Sequence, residues 1–413
     1  MKLERCQNIR DLEALARKRL PAPIYHYMAG GADDEWSLAR NTQAFEQYEL
    51  RPHYLSNVAS IDLTTELMGI PLDLPLVMAP TGMSRLFHLD KEPAVARAAQ
   101  RFGTLYSLST MGTATIENIA EATPGPNMFQ VYIFKDRGLT AEFVERCKAA
   151  EYDALCLTVD TPLAGNRERD FVHGMSLPPR FGIRGLWSFA RHPRWMLQLL
   201  RDSDFSLANV VHRVDAIGSG TMGIVEYVNS QFDQSLTWDD AAWLAELWSG
   251  PLVIKGLQTA EDARRAVEIG ARAVMISNHG GRQLESTPAP IDCLAPIRDE
   301  VGDQLELIVD GGIRRGTHIL KALALGANAC SIGRPYLYGL AAGGQAGVER
   351  ALQILRDELL RNMALIGCRS VSDLTRENIQ WSGANPLRAR PGPPPGRIPE
   401  HRARKTLSVG HAG

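Results

Sequence analysis

The chain lacks most of the features that mark specialised protein classes. Its six cysteines, at positions 6, 147, 156, 293, 330 and 368 of 413, form no CxxC pair and no Cys/His cluster with zinc-ligand spacing. That excludes a disulfide scaffold, and no metal site is expected. Several lie in apolar runs (Cys156 in ALCLTV, Cys330 in ANACSIG) and read as buried small hydrophobes in a reducing compartment. There is no run of about 18 apolar residues, so no spanning helix is expected. The first residues, MKLERCQNIRDLEALARKRL, break every apolar stretch with charge and lack the apolar core of a secretory signal. Neither sign of charge is in excess: 45 Lys and Arg stand against 47 Asp and Glu, a net charge of −2. That argues against a dedicated nucleic-acid binder and suits a cytoplasmic protein. With 45% hydrophobic and 22% charged residues, the chain is neither disordered nor fibrous.

What is present is a repeating unit. Short runs rich in Val, Ile and Leu predict strands near 76–80, 104–109, 128–132, 154–160, 252–255, 273–277, 306–310 and 329–332. Helical patterns follow at 91–102, 115–122, 138–150, 259–269 and 315–325. The runs are short and non-alternating, as in a parallel sheet covered on both faces. Eight such units favour an α/β chain closed as a (β/α)8 TIM barrel; an open doubly wound sheet shares the same alternation. Ahead of it stands an N-terminal helical segment, with helices near 10–19 and 34–45, and a further helix follows near 346–366. A large insertion, about 171–237, separates strands 4 and 5 on the face where barrel active sites are built. The barrel therefore takes residues 1–383, and 384–413, rich in Pro, Gly and Arg, reads as a disordered basic tail.

Chemistry gathers at strand ends. In LELIVDGGIRRGTHILKALALGANACSIGRP, Gly311 and Gly312 let backbone approach a ligand closely. Arg314 and Arg334, with the N–H groups after strand 8, suit a phosphate dianion. Strand 6 ends in SNHGGR: His279 at the barrel mouth suits a general base, and Arg282 offers a planar fork to a carboxylate. Asp160, ending strand 4 in TVDTP, would orient His279, or else serve as a cap or structural ion pair. Lys255 in VIKG faces either an anionic ligand atom or a Schiff-base role. Gln130 and Tyr132 alternate on strand 3 and share a side; Tyr132 would offer a hydroxyl or be an ordinary strand aromatic.

Taken together, LPAPIYHYMAGGADDE, APTG, SLST, FQVY, TVDTP, VIKG, SNHGGRQL, DGGIRRG and IGRP resemble the FMN-dependent α-hydroxy-acid dehydrogenase and oxidase family, over roughly residues 8–383. The resemblance is strongest to the quinone- or cytochrome-linked L-lactate dehydrogenases, through HGMS, HPRW and GRPYLYGLA. It implies FMN as cofactor, His279 as the base paired with Asp160, and Arg282, Arg167, Tyr27 and Tyr132 around the substrate. It places the flavin ring over Pro80, Thr81 and Gly82, with Ser109, Gln130, Thr158 and Lys255 at its polar edge. Ser277 would lie near the ribityl chain, and Asp310, Gly312, Arg314, Gly333 and Arg334 would hold ribityl and phosphate. The implied reaction is oxidation of an (S)-2-hydroxy acid, L-lactate first, with electrons passed to quinone or another carrier, in a homo-oligomer, a tetramer by resemblance.

Two positions depart from the oxidases of that family. Gly82 stands where they tend to have alanine, which leans toward a dehydrogenase, and Met111 replaces a tryptophan of glycolate oxidase, which disfavours glycolate. The stretch 180–201, RFGIRGLWSFARHPRWMLQLLR, has five arginines, two tryptophans and no acid. Such a segment suits peripheral contact with the inner face of the plasma membrane, or a lid or subunit contact. Competing readings are an (S)-mandelate or other 2-hydroxy-acid enzyme, an FMN-dependent isopentenyl diphosphate isomerase, which would not need the His279–Arg282 pair, and a non-catalytic phosphate-binding barrel.

Overall fold

All eight predicted strands form, and they pair in chain order into a closed parallel barrel. They are β1 Leu76–Met78, β2 Leu105–Ser109, β3 Asn127–Val131, β4 Ala154–Thr158, β5 Leu252–Leu257, β6 Ala273–Ser277, β7 Glu306–Asp310 and β8 Ala329–Ile332. The structure, a computed structural model, describes residues 2–175, 180–203, 205–211 and 231–382. The tail 384–413 and the stretch 212–230 of the insertion lie outside the described residues. The doubly wound alternative falls because β8 pairs with β1, Cys330 opposite Leu76 and Ile332 opposite Met78.

Both faces of each strand are buried, which explains the lack of alternation in the sequence. One set of side chains fills the barrel: Val77, Leu105, Met128, Cys156, Met275 and Ile308 are each fully buried there. The hairpin Thr65–Leu72 plugs the bottom, packing Leu67 and Leu72 on that cluster while Met68 N–H donates to Glu306 at 2.6 Å. All six cysteines are buried as free thiols.

Local signals set the helix starts. Asp136 caps Arg137–Ala149 by accepting from Leu139 N–H, and Thr115 with Asn118 forms a capping box for Ile116–Ala122. Among the described residues, helices that escaped the periodicity include Ala22–Ala29, Glu168–Val172, Ile183–Ala190, Pro193–Arg201, Trp238–Trp248 and Pro290–Val301. The last helix is also longer than expected, running Arg334–Ile366 with a break at Gly343 and Gly344. It begins directly after β8, so its N-terminus opens on the barrel mouth.

Among its described residues, the insertion contributes the short helices Ile183–Ala190 and Pro193–Arg201. The segment after them is stitched to the loop beyond β2: Ala208 N–H donates to Gly112 O at 3.1 Å, and the Asn209 amide bridges Ala114 O and Ile116 N–H. Met1–Trp381 forms one compact unit. No helix among the described residues is long and apolar enough to cross a membrane.

Candidate active site

The C-terminal ends of the strands open into one cavity of about 960 Å³. Its wall includes Tyr27, Pro80, Thr81, Gly82, Ser109, Tyr132, Arg167, Lys255, His279 and Arg282. Asp310, Gly312, Arg314, Gly333 and Arg334 line its far side. Asp160, Gln130, Thr158 and Ser277 are not on the wall; they stand just behind it.

His279 sits just past β6 with φ of 57°, in the left-handed region where a non-glycine residue is strained by about 1–3 kcal/mol. Two bonds hold it there. Its N–H donates to Ser277 Oγ at 3.0 Å, and Nδ1 meets Asp160 Oδ1 at 2.9 Å. Nε2 is then the ring atom left for a ligand. Asp160 can come this close because Gly256, at a bulge in β5, has no side chain: a Cβ there would lie 2.7 Å from Asp160 Cβ. Burial pushes the His279 imidazole below its ordinary pKa, Asp160 opposes that shift, and the Lys255 charge adds to it. For Asp160, burial raises the carboxyl, but the charges of His279 and Lys255 outweigh it and the net shift is downward. At neutral pH the pair is therefore an ionised carboxylate behind a neutral imidazole, the state a proton acceptor requires.

Arg282 and Arg334 share one support. Arg282 Nη1 donates to Tyr27 O at 3.0 Å and Gly30 O at 2.8 Å. Arg334 donates to Met28 O, Gly280 O and, at 2.7 Å, Gly30 O. Apart from Gly280 O, these acceptors are carbonyls at the C-terminal end of Ala22–Ala29, the negative end of a helix, a favourable place for cations. The Arg282 guanidinium also lies 5.5 Å from the centre of the Tyr27 ring. Burial, with Arg167 and Arg334 nearby, brings the pKa of Arg282 down to about 9. The site is short of negative charge, and an anionic ligand relieves that shortage. Asp170 is a partial counter-charge, its carboxylate 4.0 Å from Arg167.

On the opposite side Lys255 Nζ donates to Ser277 Oγ at 3.2 Å and pairs with Asp310 at 3.5 Å. Burial disfavours the Lys255 ammonium, but Asp160 and Asp310 more than offset it and its pKa is raised. It therefore stays a cation, which removes the Schiff-base reading, since that chemistry starts from a neutral amine. Ser277 Oγ donates in turn to Asp310 at 2.7 Å. The backbone turns sharply after β7: Gly312 has φ of 77°, and a Cβ there would stand 2.0 Å from Asn41 O. That turn, Arg314 and the helix N-terminus at Gly333 make an anion cradle.

Three residues outside the sequence-predicted set brace the site. Asn41 and Asn278 exchange reciprocal amide bonds at 2.7 and 2.8 Å, tying the N-terminal segment to the His279 turn. Asn278 stood in view within SNHGGR, but its partner is 237 residues away. Glu92, fully buried, accepts from Ser84 N–H and from both the N–H and hydroxyl of Thr113, and so fixes the loops beyond β1 and β2.

A flavin mononucleotide fits these residues. Gln130 Nε2 and Thr158 Oγ1 are buried with no protein partner, beside the Lys255 cation that pairs in register with Thr158. That is the donor set for the carbonyl edge of an isoalloxazine, and the Gly312–Arg314–Gly333–Arg334 cradle suits its phosphate. Among the described residues, no cluster of His, Cys, Asp and Glu is arranged to hold a metal.

Comparison with known proteins agrees with this chemistry. The family profile for FMN-dependent dehydrogenases matches residues 16–381. The chain is 41% identical over 378 residues to glycolate oxidase of Spinacia oleracea, covering 91% of this chain and 96% of that one. It is 42% identical over 372 residues to a putative L-lactate dehydrogenase of Mycobacterium tuberculosis, covering 90% and 88%. Among solved structures it superposes on the monotopic membrane protein (S)-mandelate dehydrogenase with a TM-score of 0.88, at 35% identity, covering 91% of this chain and all of that one.

Proposed function

The chain belongs to the FMN-dependent dehydrogenase family and is a flavoprotein oxidising 2-hydroxy acids; on that premise we propose that its substrate is an (S)-2-hydroxy acid with an apolar substituent, for which L-lactate is the smallest candidate and (S)-mandelate a larger one. The single observation behind this is the upper wall of the cavity. Met111, Met175, Phe181, Phe189, Met196 and Phe205 line it, drawn from the loop after β2 and from the insertion, and none carries charge. Glycolate would leave that surface empty. Each buried methylene is worth about 0.8 kcal/mol. The ratio kcat/KM is therefore expected to climb by roughly tenfold or more from L-lactate to (S)-2-hydroxyhexanoate, and to stay high for (S)-mandelate. Preference for glycolate or lactate over both larger acids would refute the reading.

The roles follow from the geometry. FMN, when bound, would supply the two-electron acceptor; Pro80, Thr81, Gly82, Ser109, Gln130, Thr158 and Lys255 would hold its ring, and Ser277, Asp310, Gly312, Arg314, Gly333 and Arg334 its ribityl and phosphate. Arg282 and Arg167 bind the carboxylate, with the hydroxyls of Tyr27 and Tyr132 close by, and so fix the α carbon. Nε2 of His279 takes the proton of the substrate hydroxyl, and the Asp160 carboxylate stabilises the imidazolium that forms. Lys255 keeps a positive charge beside the ring edge where negative charge grows.

The electron acceptor we place at a membrane: a quinone or another carrier rather than oxygen. Gly82 supports the dehydrogenase side through the resemblance alone, since oxidases of the family tend to have alanine there; in this structure Met111 Cβ would stand 2.7 Å from a Cβ at that position. The outer surface of the insertion supports the membrane side. Ile183 is 87% exposed, Trp187 65% and Leu200 78%, next to a cleft lined by Arg184, Arg191 and His192. Replacing Ile183, Trp187 and Leu200 together by serine is expected to move the protein from membrane pellet to supernatant with FMN retained. Unchanged partitioning would remove the membrane role, and with it peripheral localisation. A tetramer remains part of the proposal, to be read from the sedimentation mass of the holoenzyme.

A further inference from the structure

The insertion is fastened to the barrel by Arg85, which is 0% exposed and has no role in the chemistry above. Arg85 stands three residues after the Pro80–Gly82 turn. Its guanidinium meets the C-terminal end of Pro193–Arg201. Nη2 donates to Gln198 O at 2.7 Å and to Asp202 O, Nε faces the Asp202 carboxylate at 3.4 Å, and the Phe205 ring lies 4.9 Å away. Lys91 pairs with the same carboxylate at 2.7 Å. The next residue, Leu86, accepts from Trp195 Nε1 at 2.9 Å through its carbonyl. The main chain of Arg85 is itself fixed, since its N–H donates to Thr113 Oγ1, which donates to the buried Glu92.

A buried guanidinium costs several kcal/mol unless its partners are well placed. Here they are the last carbonyls and the negative end of a helix, together with a carboxylate. Removing the cation strands both carbonyls and leaves Lys91 on the Asp202 carboxylate, so the helix end is loosened from the barrel. The other face of that helix carries Trp195, Met196 and Leu199, which line the cavity together with Phe205.

We propose that Arg85 is a specificity-determining positioning residue: by holding Pro193–Arg201 against the cavity, it sets how tightly a bulky apolar substituent is gripped. The proposal rests on the substrate class inferred above. A methyl substituent, anchored at Arg282 and His279, does not depend on that wall, whereas an aromatic ring packs on it.

The test compares Arg85→Met, Arg85→Lys and Asp202→Asn in the FMN-loaded protein. In Arg85→Met, KM for (S)-mandelate is expected to rise about tenfold while kcat and all constants for L-lactate stay within about twofold. Trypsin cleavage at arginines within 180–201 should quicken, and Arg85→Lys should restore part of both effects. Asp202→Asn, which keeps the buried cation, should act in the same direction and serves if Arg85→Met does not fold. A general structural role would instead depress both substrates together and lower the flavin content. Equal losses for the two acids, or unchanged mandelate KM with unchanged cleavage, overturn the proposal. If the wild type oxidises neither acid, the functional reading fails on its own. The cleavage rates then decide separately whether Arg85 fastens the insertion: faster cleavage supports that, and unchanged cleavage ends the proposal.

Discussion

Replacing His279 by Gln is expected to slow substrate-driven flavin reduction by about 10²- to 10⁴-fold, the range general-base removal gives, with FMN still bound. Gln is close in size but has no proton-accepting nitrogen. The flavin-side residues Lys255, Gln130 and Arg314 are untouched, so the colour of the protein should survive. The pH dependence sharpens the test. Burial lowers the pKa of His279, so its basic form is complete at neutral pH and is lost only as pH falls below the ordinary imidazole value of about 6.5. Asp160 is what holds that pKa up. In Asp160→Asn the acid limb of kcat/KM should move to lower pH while the plateau drops, because the imidazolium has lost its counter-charge. An acid limb that moves up, or a His279→Gln protein of normal rate, would sink the base assignment.

Arg282→Met carries the second large effect. Its partners Tyr27 O and Gly30 O pre-set the guanidinium before substrate arrives, so its loss removes an ordered charge. Truncating one partner of a buried charged pair costs about 2–5 kcal/mol, so kcat/KM should fall on the order of a hundredfold or more. Because the carboxylate is bound in ground state and transition state alike, most of the loss should appear in KM. Inhibition by oxalate, which presents the same carboxylate, should weaken in step. Arg282→Lys should recover little, since an ammonium cannot span the fork. Unaltered oxalate binding in Arg282→Met would show that the carboxylate lies elsewhere.

The sequence carried the barrel because its strands are buried on both faces, which leaves uninterrupted apolar runs such as ALCLT and AVMIS. Helices were less legible where composition hid them. Ala22–Ala29 is short, with Pro23 in its first turn and Pro21 as its N-cap, and Gly343 and Gly344 disguise the first third of the long helix. At the site, strand-end position pointed to His279, Asp160, Lys255 and Arg282. What it did not show is how they are held. Gly30 O bridging Arg282 and Arg334, the Asn41–Asn278 pair, and Arg85 on Asp202 each join residues more than a hundred positions apart. No local pattern encodes such pairings. The flavin-side role of Gln130 and Thr158 came only from family resemblance, and their unpartnered polar atoms are what a hydrogen-bonding ligand there would satisfy.

The most direct test of the account is the absorption spectrum of the purified protein under nitrogen, before and after adding each enantiomer of lactate and mandelate. The account predicts a yellow protein with one FMN per chain, bleached by the (S)-acids and left coloured by the (R)-acids. A colourless protein that binds no FMN, or a yellow one that no 2-hydroxy acid bleaches, would contradict it.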